Sequence, residues 1–217
     1  MIAVVLPTFN RRDLLWETCV RIKSNLITQE EIKFFIGDAG TDNVAEKFDG
    51  QPNVTVIKPE SRFLGNNLNT LLRAANQETD IILQMDDDHW LRDPLDVDDH
   101  IKVLRDPLNP VKWIRLMGVA AHSFDARLVG NYWRVRWDSP EVYIPSNRPH
   151  LKNISFHAYY GLYPEGLKLG ETEEGFCHNC IDLGKLDLMA PVVGIPVNLR
   201  TETLWDHVGH SWQDRGF

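Results

Sequence analysis

Cysteine is scarce in this chain: Cys19, Cys177 and Cys180 are the only three in 217 residues, an odd number and too few for a disulfide framework. Reduced thiols, and a cytoplasmic setting, are the expectation. Cys177 and Cys180 have C-x-x-C spacing, but no second such pair completes a structural zinc site. Long apolar runs are also missing. None approaches the ~20 residues of a membrane span, and MIAVVLPTFN has no basic segment ahead of its short hydrophobic stretch, so neither a span nor a secretory leader is expected. Positive charge is in deficit, with Lys+Arg 23 against Asp+Glu 31 giving −8; this argues against a polyanion-binding surface and against nucleic acid as a partner. Glycine-rich phosphate loops are absent, since no G-x-G-x-x-G follows the first apolar run and no G-x-x-x-x-G-K-[ST] occurs. Dinucleotide and P-loop readings are thereby disfavoured.

What is there begins with Ile81-Ile82-Leu83-Gln84-Met85-Asp86-Asp87-Asp88, an apolar run of strand length that ends in three carboxylates. Such a run reads as a buried parallel strand delivering acids to the carboxyl edge of a sheet, where open α/β sheets bind ligands. Three adjacent acids repel one another, and a hard cation compensates them well: Mg²⁺ or Mn²⁺ takes one or two carboxylates plus the phosphates of a substrate. Ahead of the triplet, Ile2 to Leu6, Ile32 to Ile36 and Val54 to Ile57 carry strand signals. Helical periodicity runs through Leu14, Leu15, Cys19, Ile22 and Leu26, with Asn10 as the expected cap, and again from Asn66 to Asn76. Strand and helix alternate four times in about the first ninety residues, which means a mostly parallel sheet with right-handed crossovers. The polar loops at Thr8, Asp38 and Asp86 to Asp88 all follow strands and so converge on one edge.

Regularity falls away after Leu104. Lys112 to Met117 looks like a short strand, and Tyr132 to Trp137 alternates aromatic or apolar with basic residues, a strand whose wet face carries Arg134 and Arg136. Ser139 to Pro149, with three prolines, reads as a surface loop near an acceptor. Aromatics at His157 to Tyr163 precede Glu171-Thr172-Glu173-Glu174, which reads either as a carbohydrate-facing acidic cluster or as the first turn of a helix. Near the end, His207 and His210 stand three apart beside Trp205 and Trp212; histidine is a common metal ligand.

Taken together, Val5-Leu6-Pro7-Thr8-Phe9-Asn10-Arg11, Gly37-Asp38-Ala39-Gly40-Thr41-Asp42, Leu64-Gly65-Asn66-Asn67-Leu68-Asn69 and the Asp86-Asp87-Asp88 triplet as a D-x-D motif resemble the family 2 glycosyltransferases. The resemblance covers about the first hundred residues well and the rest in patches. It implies an α/β fold of GT-A type over residues 1–217: a mostly parallel, Rossmann-like sheet flanked by helices, with a nucleotide-sugar-binding half to about 104 and a less regular acceptor-binding and catalytic half beyond. It also implies a metal-dependent transfer of sugar from a nucleoside-diphosphate sugar, UDP the favoured nucleotide, to a carbohydrate hydroxyl with inversion. Pro7 and Thr8 would line base and ribose, with Asn10 beside them. Asp38 would hydrogen-bond the base, and Asn69 or the turn at Gly65 would approach ribose or phosphates. Asp86 and Asp87 would sit on the donor side, and Asp88, with Asp86, would bind the Mn²⁺ or Mg²⁺ that bridges the diphosphate. His207 or His210 would complete the metal site.

An acid serves such enzymes as general base, and Glu174, then Glu173, is the implied candidate, since adjacent carboxylates raise one another's pKa toward working pH. The motif departs from the family here: its usual acidic pair runs on to a basic residue, whereas this cluster runs on to Cys177-His178. Without a base, a retaining mechanism is the better reading. Two other classes remain open. A sugar-phosphate nucleotidyltransferase would need a glycine-rich basic N-terminal loop that Pro7 to Arg11 is not, and a non-catalytic carbohydrate-binding protein would leave the acidic triplet without a role.

Overall fold

The computed structural model describes residues 1–41, 43–117, 126–197 and 204–208. Strands β1 (Ile2–Thr8), β3 (Ile32–Asp38), β4 (Val54–Ile57) and β5 (Ile81–Gln84) alternate with helices α1 (Arg12–Asn25) and α3 (Leu64–Ala75), as the periodicity predicts, and with a single turn, α2 (Val44–Lys47), that it does not mark. A two-residue strand, β2 (Leu26–Ile27), follows α1. β1 pairs in parallel with β3 and β5, and β3 with β4. Every residue of β1 is buried. Ile2, Val4 and Leu6 pack with Leu15, Cys19 and Ile22 of α1 on one face, while Ala3 and Val5 pack with Leu68, Leu71 and Leu72 of α3 on the other. A strand enclosed on both faces reads as a continuous apolar run, which is why alternation is absent from its sequence.

The later elements are β6 (His89–Leu91), β7 (Leu95–Asp96), α4 (Asp98–Arg105), β8 (Val111–Arg115), β9 (Ala126–Val129), β10 (Tyr132–Val135), β11 (His150–Asn153), α5 (Ser155–Tyr160), α6 (Leu169–Leu186), β12 (Val192–Pro196) and β13 (Trp205–His207). They do not make a separate layer. Among the described residues one sheet of nine strands runs β4-β3-β1-β5-β11-β8-β12-β10-β9. β11 lies antiparallel between β5 and β8, and β12 runs parallel to β8. No helix among the described residues is long and apolar enough to cross a membrane.

Three local expectations change. Asn10 does not cap α1; Arg11 precedes the helix without a side-chain cap, and Asn10 takes φ 54°, a left-handed conformation that Asn tolerates. Helix α3 begins at Leu64, two residues earlier than its apolar pattern suggests. Ser139 to Pro149 is no surface loop: Ile144, Pro145, Ser146, Asn147 and Pro149 are buried, because the segment lies under α6, where the Pro145 carbonyl accepts from Cys177 Sγ at 3.8 Å. Arg136, exposed, is paired with Asp138, and β10, which carries Arg134, stands four strands from β5 in the sheet, about 19 Å at ~4.8 Å per strand.

β11 carries no sequence signal of a strand. Its His150 and Lys152 are polar, yet both are 0% exposed. His150 stacks on Trp113 with ring centroids 3.8 Å apart, and Lys152 Nζ lies 4.5 Å from the centre of the same indole. Lys152 donates to Gln84 Oε1 at 2.6 Å, and burial holds its pKa well below the ordinary lysine range. Burial, then the charge of Lys152, likewise pushes His150 and the neighbouring His157 well below the usual imidazole value.

These histidines set a pH dependence. In the unfolded chain an imidazole takes up a proton near pH ~6.5, whereas the folded chain keeps it neutral to lower pH. The unfolded state then binds more protons, so stability is lost as pH falls through that value, by up to about 1.4 kcal/mol per pH unit for each such group. Thermal unfolding between pH ~6.5 and ~5 should show this fall, and His157→Gln should make it shallower. An unchanged slope in the variant would mean that His157 is protonated in the fold.

Candidate active site

Register brings the polar loops together. Thr8 lies opposite Asp38, Val5 opposite Gln84, and Met85 N–H donates to Val5 O at 3.3 Å, so Asp86 to Asp88 start just past the end of the sheet. The three acids then diverge. Asp86 is half-buried, and its carbonyl closes a turn by accepting from His89 N–H at 3.4 Å. Asp87 turns inward: its Oδ2 accepts from Thr8 Oγ1 at 2.6 Å, its Oδ1 from Arg11 Nη1 at 3.3 Å, and its carbonyl from Thr18 Oγ1 at 2.7 Å. Asp88 is 0% exposed. Its Oδ2 accepts from Arg11 Nη1 at 2.7 Å and lies 3.5 Å from His207 Nε2, while its Oδ1 lies 3.3 Å from His89 Nδ1. Burial alone would lower the Arg11 pKa, but its hydrogen bond to Asp88 and the two charges outweigh that and raise it.

Asp88, His89 and His207 offer one ligand atom each, all within 4.8 Å of one another. One carboxylate and two imidazoles form a donor set that suits a first-row divalent ion. β13 is pinned to deliver His207: it pairs antiparallel with β6, Arg92 pairs with Asp206 at 3.1 Å, and Val208 N–H donates to Asp88 O at 3.0 Å. His210 lies outside the described residues.

The other expected residues separate into two groups. Beside the acids, Pro7 and Thr8 are buried, and the Thr8 hydroxyl is engaged by Asp87. Asn10 Oδ1 accepts from Thr41 N–H at 2.6 Å, tying the loop after β1 to the loop after β3. Asp38, 1% exposed, accepts from Gly40 N–H at 3.2 Å and pairs with Lys58 Nζ at 2.9 Å. An open depression of about 520 Å³, lined by Asn10, Arg11, Thr41 and Asn43 among others, runs along this edge, within the size range of small-molecule sites. Asn69 goes elsewhere. It is 1% exposed, its Nδ2 donates to Tyr163 O and Glu165 Oε1, and its Oδ1 accepts from Tyr163 N–H, so it anchors the segment leading to α6. Gly65 shows why that segment sits so close: a Cβ there would lie 2.0 Å from Pro164 O.

On α6 the acids have different surroundings. Glu171 accepts from Lys168 N–H at 3.1 Å and closes the helix N-terminus. Glu174 is exposed and lies 3.6 Å from His178 one turn on. Glu173 is half-buried and turned toward the sheet, its Oε1 accepting from Asn147 N–H at 2.8 Å. Asn147 Oδ1 in turn accepts from Gln84 Nε2 at 3.3 Å, two residues before Asp86. Arg115 is also near: burial, then Arg148, lowers its pKa, and Glu173 works in the opposite direction.

The sequence reading missed His89, the compensating role of Arg11, and the buried group of Gln84, Asn147 and Lys152. His89 had a signal, since it directly follows the triplet. The others had none.

Residues 3–140 match the profile of glycosyl transferase family 2. The chain belongs to this family. Its fold is the GT-A type. By structure it is similar to Staphylococcus aureus TarS 1-349 in complex with UDP, with a TM-score of 0.66, 18% identity, 91% of this chain and 58% of that chain. It is also similar to the mannosyltransferase PcManGT from Pyrobaculum calidifontis in complex with GDP-Man and Mn²⁺, at 0.59, 15% identity, 90% and 56%. A third likeness is to the catalytic domain of Drosophila beta1,4galactosyltransferase 7 with xylobiose, at 0.55, 11% identity, 98% and 72%. The chain therefore spans little more than half the length of the first two. No curated protein matches it by sequence. The family 2 match contains the whole acidic triplet and His89, whereas Glu173 and His207 lie beyond it.

Arg11 is the cation that now neutralises Asp88, so its loss leaves a buried carboxylate short of compensation. Arg11→Gln should lower stability by about 3 kcal/mol, the scale of a broken buried pair, and Mn²⁺ should recover most of the loss. Thermal unfolding in EDTA and in Mn²⁺ checks this; the same Mn²⁺ effect on wild type and variant would rule it out.

Proposed function

We propose that this chain transfers a sugar from a nucleoside-diphosphate sugar to a carbohydrate hydroxyl, with Asp88 and His207 holding a divalent cation and Glu173 acting as general base. The observation that carries the reading is the pairing, on one sheet edge, of a buried carboxylate flanked by imidazoles with a second carboxylate tethered to the same strand through Asn147 and Gln84. Asp38 and the backbone at Pro7 and Thr8 border the nucleoside side, with Asn10 and Arg11 along the adjoining depression. Asp86, the more exposed outer acid, faces the donor, while Asp87 holds Thr8 and Arg11 in place. When bound, the cation supplies a Lewis acid that offsets charge on the departing diphosphate.

Glu173 is preferred to Glu174 on geometry. Its Oε1 is fixed by Asn147 N–H, and its second oxygen takes no hydrogen bond among the described residues, which leaves that oxygen to accept the acceptor's proton. Glu174, on the solvent face with His178, has no such link to β5. A general base that deprotonates the acceptor hydroxyl suits direct displacement with inversion. The UDP and UDP-GlcNAc complexes of TarS support UDP as the nucleotide, and the GDP-Man and Mn²⁺ complex of PcManGT supports Mn²⁺ while leaving GDP as the alternative to test.

Calorimetric titration with UDP and GDP, each with Mn²⁺ and with EDTA, should show one nucleotide binding only when the ion is present. Binding that is indifferent to EDTA would remove the cation, and no binding of either would remove the transferase reading. With the donor identified, Glu173→Gln should retain donor binding and lose at least ~100-fold in transfer, the usual worth of a general base. Glu174→Gln should stay within a few-fold of wild type, and the reverse ranking would return the role to Glu174.

A further inference from the structure

We propose that His89 is a third protein ligand of the cation site, so that two imidazoles and one carboxylate favour a first-row transition ion, Mn²⁺ or Co²⁺ among them, over Mg²⁺. This rests on the cation reading above and goes beyond it in the ligand set and in the choice of metal. The antiparallel register of β6 and β13 sets His89 directly opposite His207. Directly opposed residues share one face of a ribbon, so both imidazoles leave it on the same side. Their rings stack with centroids 4.9 Å apart at 21°, both beside the Asp88 carboxylate.

The spacing approaches that of coordination. Two adjacent ligand atoms each ~2.1 Å from an octahedral ion lie about 3.0 Å apart. Here His89 Nδ1 lies 3.3 Å from Asp88 Oδ1 and His207 Nε2 lies 3.5 Å from Asp88 Oδ2, and one ligand atom from each of the three residues lies within 4.8 Å of the others, so a bound ion would draw them closer by small side-chain rotations. His89 is 5% exposed, and its buried Nδ1 has no hydrogen-bond partner among the described residues, because its approach to Asp88 is close without being aligned. A structural ion pair would use that nitrogen to donate. A ligand nitrogen presents a lone pair instead, and an unaligned Nδ1 beside a carboxylate is placed for the second role. The chemistry then decides the metal: oxygen-only sites suit Mg²⁺, whereas imidazole donors favour first-row transition ions.

The test uses the whole chain with Mn²⁺ alone and with UDP, read by pulsed electron paramagnetic resonance and by calorimetry. Wild type should show ¹⁴N couplings from two imidazoles, and His89→Asn and His207→Asn should each show one. His89→Asn should bind Mn²⁺ at least ~10-fold more weakly, and a large part of the preference for Mn²⁺ over Mg²⁺ in competition should go with it. The wild-type couplings serve as the readout if His89→Asn fails to fold. A single ¹⁴N coupling in wild type, or unchanged affinity in His89→Asn, would overturn the proposal while leaving the cation reading in place. Absence of Mn²⁺ binding to wild type, or binding unaffected by Asp88→Asn, would overturn both.

Discussion

Two carboxylates buried side by side at the end of a central strand need compensation within a few ångströms, since an uncompensated buried charge costs several kcal/mol. Asp87 and Asp88 find it in Thr8 from β1, Thr18 from α1 and Arg11 between them. Much of the local architecture follows from that demand. The chain must turn sharply after β1 to bring Arg11 back over β5, and Asn10 takes the left-handed conformation that permits the turn while its side chain braces the loop after β3. β13 returns to the same place, its Val208 N–H held by the carbonyl of Asp88. The arrangement is stable with a protein cation and has the donor set to accept a metal one.

The second polar layer lies one strand over. Gln84, Lys152, Tyr163 and Asn147 satisfy one another beneath α6: Gln84 accepts from Lys152 and donates to Tyr163 Oη at 3.0 Å as well as to Asn147. The Lys152 Nζ rests on indole and phenol faces, with no acid among its hydrogen-bond partners in the described residues. A network of this kind fixes geometry, because a shifted member leaves a buried polar group unpaired. Its upper end is the backbone N–H that orients Glu173. β5 therefore positions both chemical groups, the acids at its tip and the candidate base through Gln84.

The family 2 match and the GT-A fold agree with a first half that strand and helix periodicity already outlines. The second half departs from expectation where packing overrides pattern. Ser139 to Pro149 carries loop residues but lies buried under α6, and β11 carries His150 and Lys152 yet sits inside the sheet. Propensity reads neighbours along the chain, whereas both segments are buried by elements distant in the chain, α6 over the first and β5 and β8 beside the second.

By itself the sequence determined the parallel core and the delivery of the acids to its carboxyl edge, because burial on both faces demands continuous apolar runs and those are visible locally. It also marked Asp88 with Asp86, and His207 or His210, as metal-ligand types through a family resemblance. Only the tertiary structure decided which acid of α6 turns inward, that Asn69 anchors a loop, and that His89 stands opposite His207 against Asp88. Each of these depends on contacts between segments far apart in the chain, and strand register, which selects the facing side chains, is a property of the pair and of neither strand alone.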